Sequence, residues 1–338
     1  MKAFHVLLWF SIAGIAAAGA TEQSYVVYVS NERSGDVSVL DPATNSVIAT
    51  VPVGKRPRGI HASPDGKLIY VTVTGSPRVG PGVDHDRTVA DKAADGLAVI
   101  DAVTKRFIKK LPVGSDPEQF SVSKDGTRAF ISDEDKASAS IVNLKAEKVL
   151  ADVKVSKEPE GVGVNPVNGQ VWITCEEEGE VFVIDPETSR SVARFKVGAR
   201  PRSVVFLPDG SRAYVPSEAE ASVAVVDCAK NTVLKMIKLP DGTMPMGTAI
   251  APDGSEVYIT TGRGNSVVVI DAKRDEVIAT IPVGGRAWGI TMSRDGTRLF
   301  TANGATNDLS VVDVKPRKEI ARIKVGDGPW GVEVGPKF

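Results

Sequence analysis

The sequence predicts an all-β fold, a seven-bladed β-propeller of four-stranded blades, and three observations carry that expectation. Short runs rich in Val, Ile and Thr alternate with turns of Gly, Pro, Asp and Asn, the pattern of strands joined by tight turns. Those runs repeat. A strand-ending Asp stands at Asp41, Asp101, Asp185, Asp227, Asp271 and Asp313, with Asn143 in the remaining slot, at intervals of 60, 42, 42, 42, 44 and 42 residues. A period in this range with four strands per unit is the propeller pattern, whereas a stacked solenoid needs capping repeats and none is visible. Finally, the two ends complement each other, as set out below.

In chain order, residues 1–20 read as an export signal. Lys2 precedes an apolar run, Val6 to Ala18, ending in Ala18-Gly19-Ala20, so cleavage is expected after Ala20 and the mature protein in the periplasm or outside the cell. A retained anchor is the rival reading, for which the run is short. Residues 21–338 are expected to form one propeller domain, the repeat overriding the length prior that would suggest two. Tyr25–Ser30 (YVVYVS) is the second strand of a repeat whose first is missing. Trp330–Pro336 (WGVEVGP) is a first strand with no second. The ring is therefore expected to close by pairing the C-terminal strand with the N-terminal three, which removes exposed edges.

Within each repeat we name the strands A (GIHASP type), B (LIYVTV), C (LAVID) and D (VIATVPVG), with A innermost. The A–B turns are marked by Asp65-Gly66, Asp125-Gly126, Asn168-Gly169, Asp209-Gly210, Asp253-Gly254 and Asp295-Gly296. The D–A loops and B–C loops share the opposite face, and a Pro in several D–A loops pins the chain as it turns inward. One B–C loop, Thr74–Gly96, holds the insertion and carries Asp84-His85-Asp86. That tripeptide reads either as a solvated loop tip or as a lid or metal-capable flap.

Lys and Arg total 41 against 42 Asp and Glu, a net charge of −1, which gives no reason to expect nucleic acid or a membrane surface as partner. A monomer is expected. The two cysteines, Cys175 and Cys228, end a B and a C strand of successive repeats, on opposite faces and too far apart to bridge, so both are expected as free thiols. No C-x-x-C-H is present, so no covalent haem is expected.

The residue after the D–A loop Pro starts strand A beside the central channel: Arg58, Glu118, Glu160, Arg202, Met246, Trp288 and Trp330. The residue just past strand B lies on the same face: Glu32, Thr74, Glu134, Glu176, Glu218, Gly262 and Gly304. The repeat demands only a strand start here, so the residue types bear on a site. They predict a funnel with an acidic wall, Arg58 and Arg202 at its flanks, and Trp288 and Trp330 opposite. One reading makes the arginines structural partners of the carboxylates. The other makes the wall a site for a cationic group or a divalent metal, with the indoles supplying cation–π or stacking contact. Candidate metal ligands are Glu118, Glu160, Asp84, His85 and Asp86. No Ser-His-Asp order, P-loop or GxGxxG is present, so a non-enzymatic binding module is the first expectation. A metal-dependent hydrolase of the lactonase kind is the alternative.

YVTV at Tyr70–Val73, with SPDG before it and VGKRPRG earlier, resembles the YVTN-type β-propeller repeat family. The ordered set DPEQF, EPEGV, RPRSV and TANGATNDLSVVDV…IKVGDGPWGV is most similar to the seven-repeat propeller family associated with PQQ-dependent alcohol catabolism. That resemblance covers about Tyr25 to Val334 and departs from the pattern in the His85 loop and in the blade-six D–A loop, which is expected to be short. It implies a periplasmic accessory protein that works beside a redox enzyme or a transport component, and PQQ itself is not expected to be bound as catalyst.

Overall fold

The computed structural model describes residues 25–77 and 89–338. Twenty-eight strands among them form seven antiparallel sheets of four. Blade one places Pro329–Pro336 innermost, followed by Tyr25–Asn31, Asp36–Asp41 and Ser46–Pro52. Val27 pairs with Val334 and Val29 with Val332, so the chain ends are joined within one sheet as the sequence predicts. Every other blade is contiguous in sequence.

Strand alternation sends one set of side chains to each neighbouring blade, and the core is accordingly seven clusters, one per blade interface. Tyr28, Val37 and Val39 of blade one pack on Ile69, Val71 and Ile100 of blade two. The closing interface sets Phe300, Ala302 and Val311 of blade seven against Val27, Val29 and Val332 of blade one. Trp172 is fully buried between blades four and five, edge-on to Phe195 and Phe206.

Most A–B turns close with a left-handed Gly, as at Gly66, Gly126 and Gly210. In one of them Ser123 and Thr127 hydrogen-bond the Asp125 carboxylate and hold its pKa down at about 2. Cys175 and Cys228 are free and buried, and burial pushes both thiols up to about 12, so they are inert packing groups. Of the insertion, residues 89–95 form a short turn tied back by Asp95, which accepts from the Thr74 hydroxyl (3.1 Å) and the Gly75 amide (2.8 Å). Asp84, His85 and Asp86 lie outside the described residues, as does the expected export signal.

Candidate functional site

Strand A meets strand B irregularly at the channel mouth. Pairing runs through Pro117 and then slips before Phe120, with the same slip between Pro159 and Val162 and between Ala287 and Ile290. A strand-B hydroxyl fills the gap. Ser132 Oγ accepts from the Gln119 amide (3.1 Å) and lies 2.6 Å from the Glu160 carbonyl of the next blade. Ser30 bridges Gly331 N (2.9 Å) and Arg58 O (2.5 Å), and Thr260 bridges Gly247 N (2.8 Å) and Trp288 O (2.6 Å). Thr72 Oγ1 reaches Glu118 O at 2.6 Å. These hydroxyls latch the backbone of each mouth residue to the preceding blade. The neighbouring glycines permit the approach, since a Cβ at Gly247, Gly289 or Gly331 would sit 2.5 Å from the next blade's carbonyl oxygen.

The residue before the loop Pro also faces the mouth, because it adopts a left-handed backbone. This holds for Arg56 (φ 42°), Asp116 (52°), Glu158 (48°) and Arg200 (56°), and for Arg286 (55°) where Ala replaces the Pro. Held in a sparsely populated region, each non-glycine residue here stores strain that surrounding structure must hold. The sequence reading missed this ring. Its signal was present: the loops read Arg-Pro-Arg, Asp-Pro-Glu, Glu-Pro-Glu and Arg-Pro-Arg, with like charge on both sides of the Pro.

Together these residues line a cavity of about 220 Å³. It gathers Glu32, Arg58, Glu118, Glu134, Glu160, Glu176, Arg202, Trp288 and Trp330 from the expected funnel and adds Arg33, Arg56, Asp116, Glu158, Arg200 and Arg286. Glu218 joins through Arg202 rather than as part of the lining. Met246 does not line it. It is buried beside Met244 and Gly262 in the loop into blade six.

The acidic wall is interleaved with arginine. Arg202 lies between Glu160 (2.8 Å) and Glu218 (2.5 Å) and also contacts Glu176. Burial draws the Arg202 pKa down, but Glu160 and Glu218 outweigh it and hold the guanidinium above its ordinary value. Arg200 reaches Glu176 at 2.7 Å from outside. Arg58 spans Glu32 (3.3 Å) and Glu118, while Arg56 bonds the same Glu32 at 3.0 Å. Burial, then repulsion from Arg58, lowers the Arg56 pKa against the pull of Glu32.

Asp116, Glu118 and Glu134 bring carboxylate oxygens within 4.8 Å of one another, the first two buried. An all-oxygen set suits a hard divalent cation. Glu118 already carries the Arg58 guanidinium, which puts positive charge where such an ion would have to sit. Glu160, the other funnel carboxylate considered for a metal, belongs to the Arg202 cluster instead. Across the mouth the Trp288 and Trp330 rings lie 5.4 Å apart at 47°, and the Arg286 guanidinium stacks on Trp288 at 5.0 Å.

A choice-of-anchor I domain model matches residues 10–191, and a YNCE-like beta-propeller model matches residues 164–335. Antigen Lp49 of Leptospira interrogans is 31% identical over 116 residues, which is 34% of this chain and 24% of that protein, so the match spans about a quarter of the relative's length. Among solved structures, hydrazine synthase from Kuenenia stuttgartiensis superposes with a TM-score of 0.74 at 20% identity, covering 90% of this chain and 99% of the other. A putative 6-phosphogluconolactonase from Bacteroides fragilis gives 0.75 at 15% identity, covering 94% and 99%. At these identities the likeness is one of fold. With the family model spanning half the chain and the ring closed as described, this protein belongs to the YNCE-like β-propeller family.

Proposed function

We propose that the protein is a non-enzymatic binding module that holds a small polar ligand with a cationic group at the mouth of its channel. The observation that carries this reading is the composition of the mouth. Among the described residues its lining is Arg, Glu, Asp, Trp, Pro and Gly, with charged groups paired along one wall and two indoles on the other. A concave polar pocket with convergent charged groups and an aromatic face is the arrangement of a ligand site.

The setting we propose is the periplasm, beside a PQQ-dependent alcohol-oxidising system and acting with a redox enzyme or transport component. Its support is the ordered DPE, EPEG, RPR and PWG set and the N-terminal signal pattern. N-terminal sequencing of protein recovered from the periplasm should begin at Thr21; a full-length membrane-bound chain would count against that placement. No helix of the described residues is long and apolar enough to cross a membrane.

Thermal shift against a panel of amines, quaternary ammonium compounds and divalent cations tests the ligand reading, since a ligand of the native state raises Tm. We expect a stabilising amine whose effect is lost in Glu118→Gln and in Trp288→Ala. A second reading, a metal-dependent hydrolase, draws support from the Asp116, Glu118 and Glu134 group. Stoichiometric calcium or zinc in the purified protein, lost with Glu134→Gln together with lactone hydrolysis, would replace the first reading by the second.

A further inference from the structure

We propose a second binding site inside the channel, further along strand A than the mouth, for a small uncharged molecule that carries a hydroxyl on a short apolar body. It is separate from the mouth and stands whether or not a cation binds there. All seven blades contribute to a cavity of about 130 Å³, and among the described residues no charged side chain lines it. Ile60, Val162, Val204, Ile290 and Val332 give it apolar walls. The sequence marks the change of character. The residue after each mouth position is Gly in five blades, Gln119 in blade three and Ser203 in blade five.

The polar groups of this wall divide into those already paired and those left open. The Gly161, Gly247 and Gly331 amides are taken by the hydroxyls of Thr174 (2.8 Å), Thr260 (2.8 Å) and Ser30 (2.9 Å). Ser203 Oγ donates to the Met246 carbonyl at 2.6 Å. Left without a hydrogen-bond partner among the described residues are His61 Nε2, the Thr248 hydroxyl and the Gln119 side chain. His61 is fixed from behind. Its Nδ1 lies 2.9 Å from Glu333 Oε2, and its ring stands edge-on to Phe120 at 5.0 Å. The other Glu333 oxygen accepts from the Val334 amide (3.0 Å), so the carboxylate is held as well. A carboxylate only accepts, which puts the ring proton on Nδ1 and leaves Nε2 a bare acceptor on a ring that is 39% exposed.

That pattern selects the occupant. Several waters would fit the volume, but each needs about two to four polar partners, and these walls offer few. An ion would meet no countercharge and pay its desolvation in full. A hydroxyl donates to His61 Nε2, while its carbon body lies against the Val and Ile side chains. Thr248, on the blade across the channel from His61, supplies a second polar contact.

Residues 21–338 hold only two histidines, His61 and His85, so NMR of the mature protein labelled with ¹⁵N-histidine reads the site directly. The titrants are alcohols of about three to six carbons, the size such a cavity holds, and ethers matched in non-hydrogen atoms. Before addition His61 should show a protonated Nδ1 and a bare Nε2. One size of alcohol should move the Nε2 resonance saturably and bind about fivefold more tightly than its ether, the net worth of one hydrogen bond. Thr248→Val, which keeps the shape, should weaken that alcohol by a similar factor, and Lys109→Gln, on an outer strand, should change nothing. Alcohol and ether of equal affinity would overturn the hydroxyl contact to His61 and with it the ligand class. A His61 resonance that no alcohol moves would leave water as the occupant of the channel and overturn the site.

Discussion

Arg202 shows how much of the mouth's order rests on single charges. Its guanidinium is shared by Glu160, Glu176 and Glu218, and replacing it with Gln leaves three carboxylates facing one another in a nearly dry setting. Breaking a buried ion pair from one side costs about 3–5 kcal/mol. Urea unfolding of Arg202→Gln at neutral pH should show a loss of that order. Asp133 is a second case. It is fully buried, and Ser140 lies against its carboxylate and 2.8 Å from Asp152. One hydroxyl proton cannot serve two carboxylates at once, and burial disfavours the charged form of Asp133. Burial pushes its pKa up to about 7, against the Ser140 hydrogen bond, with Asp152 adding to the rise. The same strand end in blades one and seven is Asn31 and Asn303, whose amides donate to Ser38 (2.9 Å) and Ser310 (2.8 Å). A carboxyl whose folded pKa is raised binds protons in the native state that the unfolded chain has already lost, so stability falls as pH climbs from about 4 through about 7. Asp133→Asn should remove that slope and raise Tm at pH 8 by several degrees, as a pH series of thermal melts would show.

At the scale of elements, the mouth is built by hydroxyl latches between blades. Thr72 on strand B of blade two donates to the carbonyl of Glu118 in blade three, at the slip in strand pairing. Thr72→Val keeps the shape and removes the donor, leaving the Glu118 carbonyl only the longer Gly59 amide contact (3.3 Å), at a cost of about 0.5–1.5 kcal/mol, the net worth of one hydrogen bond. We expect that loss in denaturant midpoints, a weaker ligand response because Glu118 is no longer fixed, and recovery of both in Thr72→Ser. A Thr72→Val protein as stable as wild type would show that the slip is held by pairing alone. These latches were invisible in the sequence, where Ser30, Thr72, Ser132 and Thr260 are ordinary strand residues. The slip that gives them their task exists only once strands A and B are paired. The ring before the loop Pro was legible but overlooked, since it is the left-handed backbone that turns these residues into the channel. Arginine pairing was not legible at all: sequence gives Arg202 its blade, but not which of three neighbouring carboxylates so long a side chain reaches. Met246 was misplaced for a related reason: its loop, expected to be short, carries two extra residues, and Met246 is buried against Met244 and Gly262 instead of lining the channel.

For the whole molecule, period and turn chemistry made blade number and closure readable, because every repeat states them again. Closure in turn decides whether the mouth exists. Trp330 enters on the C-terminal strand, which pairs with Tyr25–Asn31 and sends Val332 and Val334 into the core between blades seven and one. Without residues 329–338 the Tyr25–Asn31 strand becomes an open edge, the closing cluster loses its innermost side chains, and Gly289 and Arg58 lose the backbone they pack against. Burying Val332 and Val334 alone is worth about 1.5–3 kcal/mol each, and ring closure makes the other interfaces depend on it. A chain ending at Gly328 should therefore lose its single cooperative melt and expose apolar surface to a hydrophobic dye. A peptide of residues 329–338 added in trans should restore the melt by strand addition, and with it the amine-dependent shift. Wild-type melting of the shortened chain would mean that six contiguous blades hold the ring unaided and that Trp330 is an ornament of the mouth rather than part of its frame.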